Sequence, residues 1–334
     1  MKRRLIAALL LLVLAAGLAG CSFSFDDAGS SPLSTTVTVT LKSGGDTADS
    51  SVRLSVGERM PTPAAPARAG WVFRGWCTDE AGTTPYDFSR PVTRDLTLYA
   101  SYLPDYEAWT NRLTEETMPS LVLVRTKTRS NGNVGTKTGS GIVLLCGEDS
   151  YGTFYYLVTN RHVVSDAYFL PLTSPFTVED YRGGSYRDVT LVASSAGYDL
   201  AVLKMYADAG MTYELPTLDF AASDAAAGEK LAALGQPGGQ RNALTYGEAV
   251  EYRVPNPPSD GDKSSAIDFP VLYHTAPIAN GSSGGAVVNA AGELVAVNYA
   301  GAYREDQTFA AGMAIPVSRL VEYLRTMPDI AGLF

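Results

Sequence analysis

Apolar positions along this chain recur in short bursts, and the spacing within each burst predicts strands. Thr35 to Leu41 alternates threonine with valine or leucine, a period of two that reads as a half-buried strand. Ser51 to Val56 alternates in the same way, and Ser43-Gly44-Gly45-Asp46 between the two runs reads as a turn. Pro61 to Ala67 is rich in proline and alanine and excludes both a helix and a central strand. Gly70 to Trp76 and Asp95 to Ala100 complete this first region. Residues 104 to 119 have mixed helical character around Tyr106 to Leu113 and read as a linker lying against the domain C-terminal to it. From Leu121 the pattern is again short apolar runs (121–124, 139–145, 154–159) separated by Gly, Asp and Ser clusters, which predicts an all-β sandwich or barrel. A last helical pattern covers 317–325. Helices do not alternate with strands, so a parallel α/β fold is disfavoured.

The first twenty residues stand apart. Met1-Lys2-Arg3-Arg4 is basic and Leu5 to Ala19 is apolar apart from Gly17, too short for a comfortable membrane span and suited to a signal peptide. The run ends in Leu18-Ala19-Gly20-Cys21, which resembles a bacterial lipoprotein signal. That resemblance implies cleavage before Cys21, lipidation of Cys21 and a chain held outside the cytoplasm on a bacterial cell membrane. Ser22 to Ser34 then forms a polar tether. The 334 residues, 46% hydrophobic and 18% charged, allow about two domains. A formal charge of −9, more negative still once Lys2, Arg3 and Arg4 are removed, makes nucleic acid and anionic lipid poor electrostatic partners. Cys77 and Cys146 fall in different regions, and spacing leaves open whether they pair. With two histidines and no Cys-x-x-Cys, no metal-ligand cluster and no cofactor is expected.

Candidate chemistry centres on Asn280-Gly281-Ser282-Ser283-Gly284-Gly285-Ala286-Val287, a glycine-rich turn running into an apolar strand. Its glycines permit close backbone approach and free N–H groups, the requirements of an oxyanion hole. A serine needs a base to become a nucleophile. His162 follows the apolar Tyr156 to Thr159, at the point where the run breaks into polar residues. His274 sits nine residues before Ser283, in a strand that places it on a barrel wall. Asp199 stands at the mouth of an apolar strand, Leu200 to Leu203. The order His162, Asp199, Ser283 differs from the Ser-Asp-His order of α/β-hydrolases and matches a double-barrel serine hydrolase. Ser282 is the alternative nucleophile, disfavoured because two glycines follow Ser283 directly.

These residues resemble the trypsin-like serine proteases of the HtrA (Deg) type. Thr159-Asn160-Arg161-His162-Val163-Val164 is similar to that family's histidine motif and Asp199-Leu200-Ala201-Val202-Leu203-Lys204 to its aspartate motif. Gly281-Ser282-Ser283-Gly284-Gly285-Ala286 is similar to its serine motif, with Ser282 in place of asparagine. Leu234 to Gly239, Gly292 to Asn298 and Gly312 to Pro316 agree with three smaller blocks, all in the family's order. The resemblance implies a chymotrypsin-like double six-stranded β-barrel over 119–330, cleaving protein or peptide substrates through the triad His162, Asp199 and Ser283. It also implies an oxyanion hole of the Gly281 and Ser283 amides. The primary pocket would have Pro277 at its floor and Asn298, Tyr299 and Ala300 on its wall, so cleavage after Arg or Lys is not expected. Such enzymes often form trimers, and most carry PDZ domains, which are not expected from this sequence. Residues 35–103 resemble one internalin-type B-repeat (Listeria–Bacteroides repeat), a small β-grasp-like module, with the signal at 1–20, the tether at 21–34 and the linker at 104–118. A competing reading is a surface-binding lipoprotein whose protease-like scaffold is inactive.

Overall fold

The computed structural model describes residues 35–130, 133–168, 173–255, 267–328 and 330–333. The signal segment, Cys21 and the tether lie outside these residues. Four strands build the first region: β1 (Thr36–Lys42), β2 (Ser50–Ser55), β3 (Trp71–Cys77) and β4 (Leu96–Pro104), in the order β2-β1-β4-β3. β1 and β4 run parallel and the other neighbours antiparallel. The period of two in β1 buries Val37, Val39 and Leu41, which meet Leu54, Met60, Trp76, Val92 and Leu98 in a small core. Phe73 packs edge-on against both Trp76 and Tyr102, so the aromatic residues are spent largely on that core.

β4 passes directly into α1 (Tyr106–Arg112), where the Asp105 carboxylate accepts from Ala108 N–H at 3.0 Å as an N-cap. A π-helical turn (Leu113–Thr117) and a 3-10 turn (Met118–Ser120) continue it. Trp109, Leu113 and Met118 are buried in the largest core of the molecule. Removing a buried tryptophan from such a core typically costs about 3–5 kcal/mol. The segment read as a linker lying against the following domain is thus docked on it as a strap, further secured by Thr110 Oγ1 and Tyr246 OH at 2.6 Å.

The remainder is two antiparallel β units. The first holds β5 (Leu121–Ser130), β6 (Asn133–Asp149), β7 (Gly152–Asn160), the short helix α2 (Arg161–Val164), β8 (Phe176–Glu179), β9 (Tyr186–Ser195) and β10 (Leu200–Ala207). Its six strands form one curled sheet in the order β8-β5-β6-β7-β10-β9. The edge strands β8 and β9 meet through a tight turn on Asp180 and a single Glu179–Ser185 bridge, so this unit is a half-barrel. The second holds β11 (Lys230–Gly235), β12 (Ala243–Arg253), β13 (Val271–His274), β14 (Ala286–Val288), β15 (Leu294–Tyr303) and β16 (Phe309–Pro316), and it closes into a barrel. The terminal α3 (Val317–Leu324) buries Leu320, Tyr323 and Leu324 in a core shared by both units, with Ile142, Val158 and Leu200 from the first and Leu234, Val271 and Ile315 from the second. This is the chymotrypsin-like fold, with one barrel closed and its partner open along one seam. Among the described residues no helix is long and apolar enough to cross a membrane.

Candidate active site

β7 and β10 are antiparallel neighbours with Asn160 opposite Leu200, so the residues just past the end of one lie beside those just before the other. That register brings His162 to Asp199. Asp199 Oδ2 lies 2.7 Å from His162 Nδ1, and Oδ1 accepts from the His162 backbone N–H at 3.0 Å. The aspartate has φ 49°, in the left-handed region where Asp and Asn are enriched. Its backbone is fixed there because its carbonyl accepts from Arg161 N–H and Asn160 Nδ2, each at 3.0 Å. The carboxylate is fully buried while the imidazole is 29% exposed. A buried carboxylate on Nδ1 selects the tautomer whose Nε2 is free to accept a proton.

Ser283 arrives from the second barrel, in the loop that precedes β14. Two glycines are required there. Gly281 has φ 96° and a Cβ on it would stand 2.7 Å from Gln236 O; Gly284 has φ 83° and its Cβ would stand 2.1 Å from Ser140 O. Ser140, on β6 of the half-barrel, ties the loop across the cleft. Its N–H donates to Ser283 O at 2.7 Å, and its hydroxyl donates to Gly281 O and accepts from Gln236 N–H, both at 2.8 Å. Sequence reasoning passed over Ser140, whose only signal was a polar residue between two glycines in an apolar run. The serine and histidine segments meet at Gly139, where a Cβ would touch both the Val163 side chain (2.6 Å) and Ser283 O (3.1 Å). The Ser283 hydroxyl itself donates to Tyr299 O at 3.3 Å. Among the described residues no hydrogen bond joins Ser283 to His162, so the hydroxyl must rotate before it can meet the imidazole. Ser282 is buried and its hydroxyl accepts from Ala279 N–H at 3.2 Å, which turns it away from the role of nucleophile.

The amides beside Ser283 are oriented by their neighbours. The N–H of Gly238 donates to Asn280 O at 2.6 Å and that of Gly285 to Ser282 O at 2.9 Å. In a planar trans peptide the C=O and the following N–H point in opposite directions. Both contacts therefore aim the N–H groups of Gly281 and Ser283 away from the protein's own acceptors. Among the described residues neither amide has an acceptor, whereas Ser282, Gly284 and Gly285 N–H donate to Ala279, Asn298 and Ser282 carbonyls. Two free backbone donors beside a serine are available to a developing oxyanion.

A cavity of about 240 Å³ adjoins this loop, lined among others by Leu234, Pro237, Ala243, Pro277, Ile278 and Asn298, and no lining residue is charged. Of the four residues read as pocket, Pro277 and Asn298 line it. Tyr299 supplies the carbonyl that holds Ser283, and Ala300 packs beside the shared core. His274 lies on the barrel wall, fully buried, its Nε2 2.9 Å from Asn298 Oδ1. Asn298 in turn accepts from Gly284 N–H (2.8 Å) and donates its own N–H to Gly285 O (2.9 Å), so His274 steadies the strand that grips the serine loop. Burial pushes the His274 imidazole from 6.5 down to about 4, against the opposing hydrogen bond to Asn298. The neutral form is thus favoured in the folded state. Stability from this group is complete above pH 6.5, where the unfolded imidazole is also neutral, and is lost as the pH falls toward 4, a change of about 3 kcal/mol. Urea unfolding at pH 7 and pH 4.5 should show His274→Gln losing less stability on acidification than wild type, by about 2 kcal/mol; parallel losses would disprove the assignment.

Residues 139–297 match the trypsin-like peptidase domain family and residues 36–101 the Listeria–Bacteroides repeat domain family. The chain is 29% identical over 271 residues to serine protease HTRA4 of Mus musculus, covering 80% of this chain and 47% of that protein. It is 30% identical over 174 residues to serine endoprotease DegS of Escherichia coli (strain K12), covering 51% of this chain and 42% of that one. It thus spans under half the length of either relative. The Rv3671c protease of M. tuberculosis in its active form superposes with a TM-score of 0.53 at 22% identity, over 67% of this chain and 88% of that one, a likeness of fold.

Proposed function

We propose that this protein is a serine endopeptidase, held outside the cytoplasm on a bacterial cell membrane through lipidated Cys21, that hydrolyses protein or peptide substrates through an acyl-enzyme on Ser283. The observation that carries the proposal is the conjunction at one cleft of a carboxylate-oriented imidazole, a serine and two unpartnered amides. In the reaction, Ser283 Oγ leaves Tyr299 O, passes its proton to His162 Nε2 and bonds to the substrate carbonyl carbon. The carbonyl oxygen becomes an oxyanion held by the Gly281 and Ser283 amides. His162 then gives the proton to the departing amine as the C–N bond breaks, leaving the acyl-enzyme. Water, deprotonated by His162, releases the acid by the same route in reverse. Asp199 stabilises the imidazolium throughout. The uncharged, largely apolar cavity beside the loop supports a small or medium aliphatic residue before the scissile bond.

The test is a fluorophosphonate probe applied to the purified protein, followed by a peptide library. Labelling at Ser283, with cleavage after Val, Ala or Leu, supports the proposal. Folded protein that takes no label would favour a binding lipoprotein with an inactive scaffold. Cleavage chiefly after Arg or Lys would refute the pocket assignment.

A further inference from the structure

The N–H of Gly238 orients the Asn280–Gly281 peptide, and Gly238 sits in the connection from β11 to β12. That connection is held internally by Gly239 N–H to Gln236 O (3.0 Å) and Gln240 N–H to Pro237 O (2.9 Å), bonds that set its shape but not its seat on the half-barrel. It contains one 3-10 turn (Pro237–Gly239), and three of its residues, Gly238, Gly239 and Asn242, are in left-handed conformations (φ 61°, 77° and 65°). Its far end is fastened to the half-barrel. The Arg241 guanidinium donates to Glu179 at the end of β8, and Glu179 takes Arg125 on its other oxygen. Arg241 also lies against Gly183 (φ 89°), where a Cβ would come within 3.0 Å of its Nη1, so the turn after β8 leaves room for the guanidinium. Asn242 adds a second attachment, its Nδ2 donating to Tyr181 O at 3.1 Å, while its N–H donates within the connection to Gln236 Oε1 at 2.9 Å.

We propose that Arg241 is a positioning residue for the oxyanion hole. Seated on Glu179 and Gly183 of the half-barrel, it holds the 236–242 connection so that Gly238 fixes the Asn280 carbonyl and the Gly281 N–H faces the reacting oxygen. The proposal rests on the endopeptidase reading and adds a residue that touches neither substrate nor triad. A charged tether of this kind weakens as salt screens it, most strongly where the pair is exposed, and Arg241 and Glu179 are 40% and 20% exposed. A complete hole donor is worth about 100- to 1,000-fold in rate, so a loosened one should cost about tenfold.

The experiment compares wild type, Arg241→Met, Arg241→Lys and Glu179→Gln. It measures kcat and KM on one peptide, and inhibition by the peptide aldehyde of the same sequence, whose adduct places an oxyanion in the hole. Arg241→Met should lower kcat about tenfold, weaken the aldehyde by the same factor and leave KM within about twofold. Arg241→Lys should recover most of the loss at low salt and surrender it at high salt. Glu179→Gln reads the same contact from the other side should Arg241→Met not fold. An active wild type whose variants keep kcat and aldehyde affinity, or lose only KM, overturns the positioning role alone. A wild type that turns over no peptide overturns the endopeptidase reading and this role with it.

Discussion

Ser283→Ala and His162→Ala should each lower kcat by about 10⁶-fold, and the double variant should be no slower than either. The two side chains act as one unit: without the imidazole the hydroxyl keeps its proton, and without the hydroxyl the imidazole has nothing to deprotonate. Independent contributions would multiply to a far larger loss. A residual rate of about 10³- to 10⁴-fold over water should survive in all three variants. The amides of Gly281 and residue 283 belong to the backbone, and their orientation comes from Gly238 and Gly285 rather than from the side chains removed. The check is kcat on a chromogenic peptide for the two single variants and the double. A double variant slower than the singles by another factor of about 10³ would mean two independent devices, and the Ser283–His162 couple would have to be abandoned. The starting geometry gives this test force, because the hydroxyl rests on Tyr299 O and joins His162 only after rotation.

How far these features were legible in sequence depended on how local their causes are. β1 and β2 follow from a period of two, and α3 from its helical pattern, because each residue's face is set by its near neighbours. The parallel pairing of β1 with β4, and the seam left open between β8 and β9, depend on partners far away in sequence and were not legible. The linker was read as lying against the domain that follows it, but that Trp109 would be buried in the core shared by both β units was not legible. In the site, His162, Asp199 and Ser283 could be named from residue type and order, since the chemistry dictates the types and the fold their order along the chain. The supports could not. Ser140 and Gly238 act through backbone groups or a common hydroxyl: the partners of Ser140 become apparent only when the half-barrel and the barrel face each other, and that of Gly238 only when two loops of the closed barrel meet. The pairing of His274 with Asn298 crosses from one barrel strand to another and needed the closed barrel to bring the two together.

Asp199→Asn should lower kcat by about 10⁴-fold with little change in KM or in unfolding midpoint. Asparagine is among the few residues that accept φ near 49°, so the backbone bend and the two hydrogen bonds to the residue 199 carbonyl should persist. One side-chain oxygen must remain opposite the His162 N–H, which donates and tolerates no second donor. The new NH₂ is therefore forced onto the position that faces His162 Nδ1. A donor there requires Nδ1 to accept, which moves the imidazole proton to Nε2 and leaves no lone pair to take the proton of Ser283. The variant is thus a nearly isosteric protein with its base in the wrong tautomer. Asp199→Ala provides the contrast: alanine at positive φ is strained and leaves the His162 N–H without its partner, so its unfolding midpoint should fall as well. Kinetics and urea unfolding on both variants decide the matter. If Asp199→Asn keeps more than about a tenth of wild-type kcat, Asp199 does not set the tautomer and its buried carboxylate serves the fold alone.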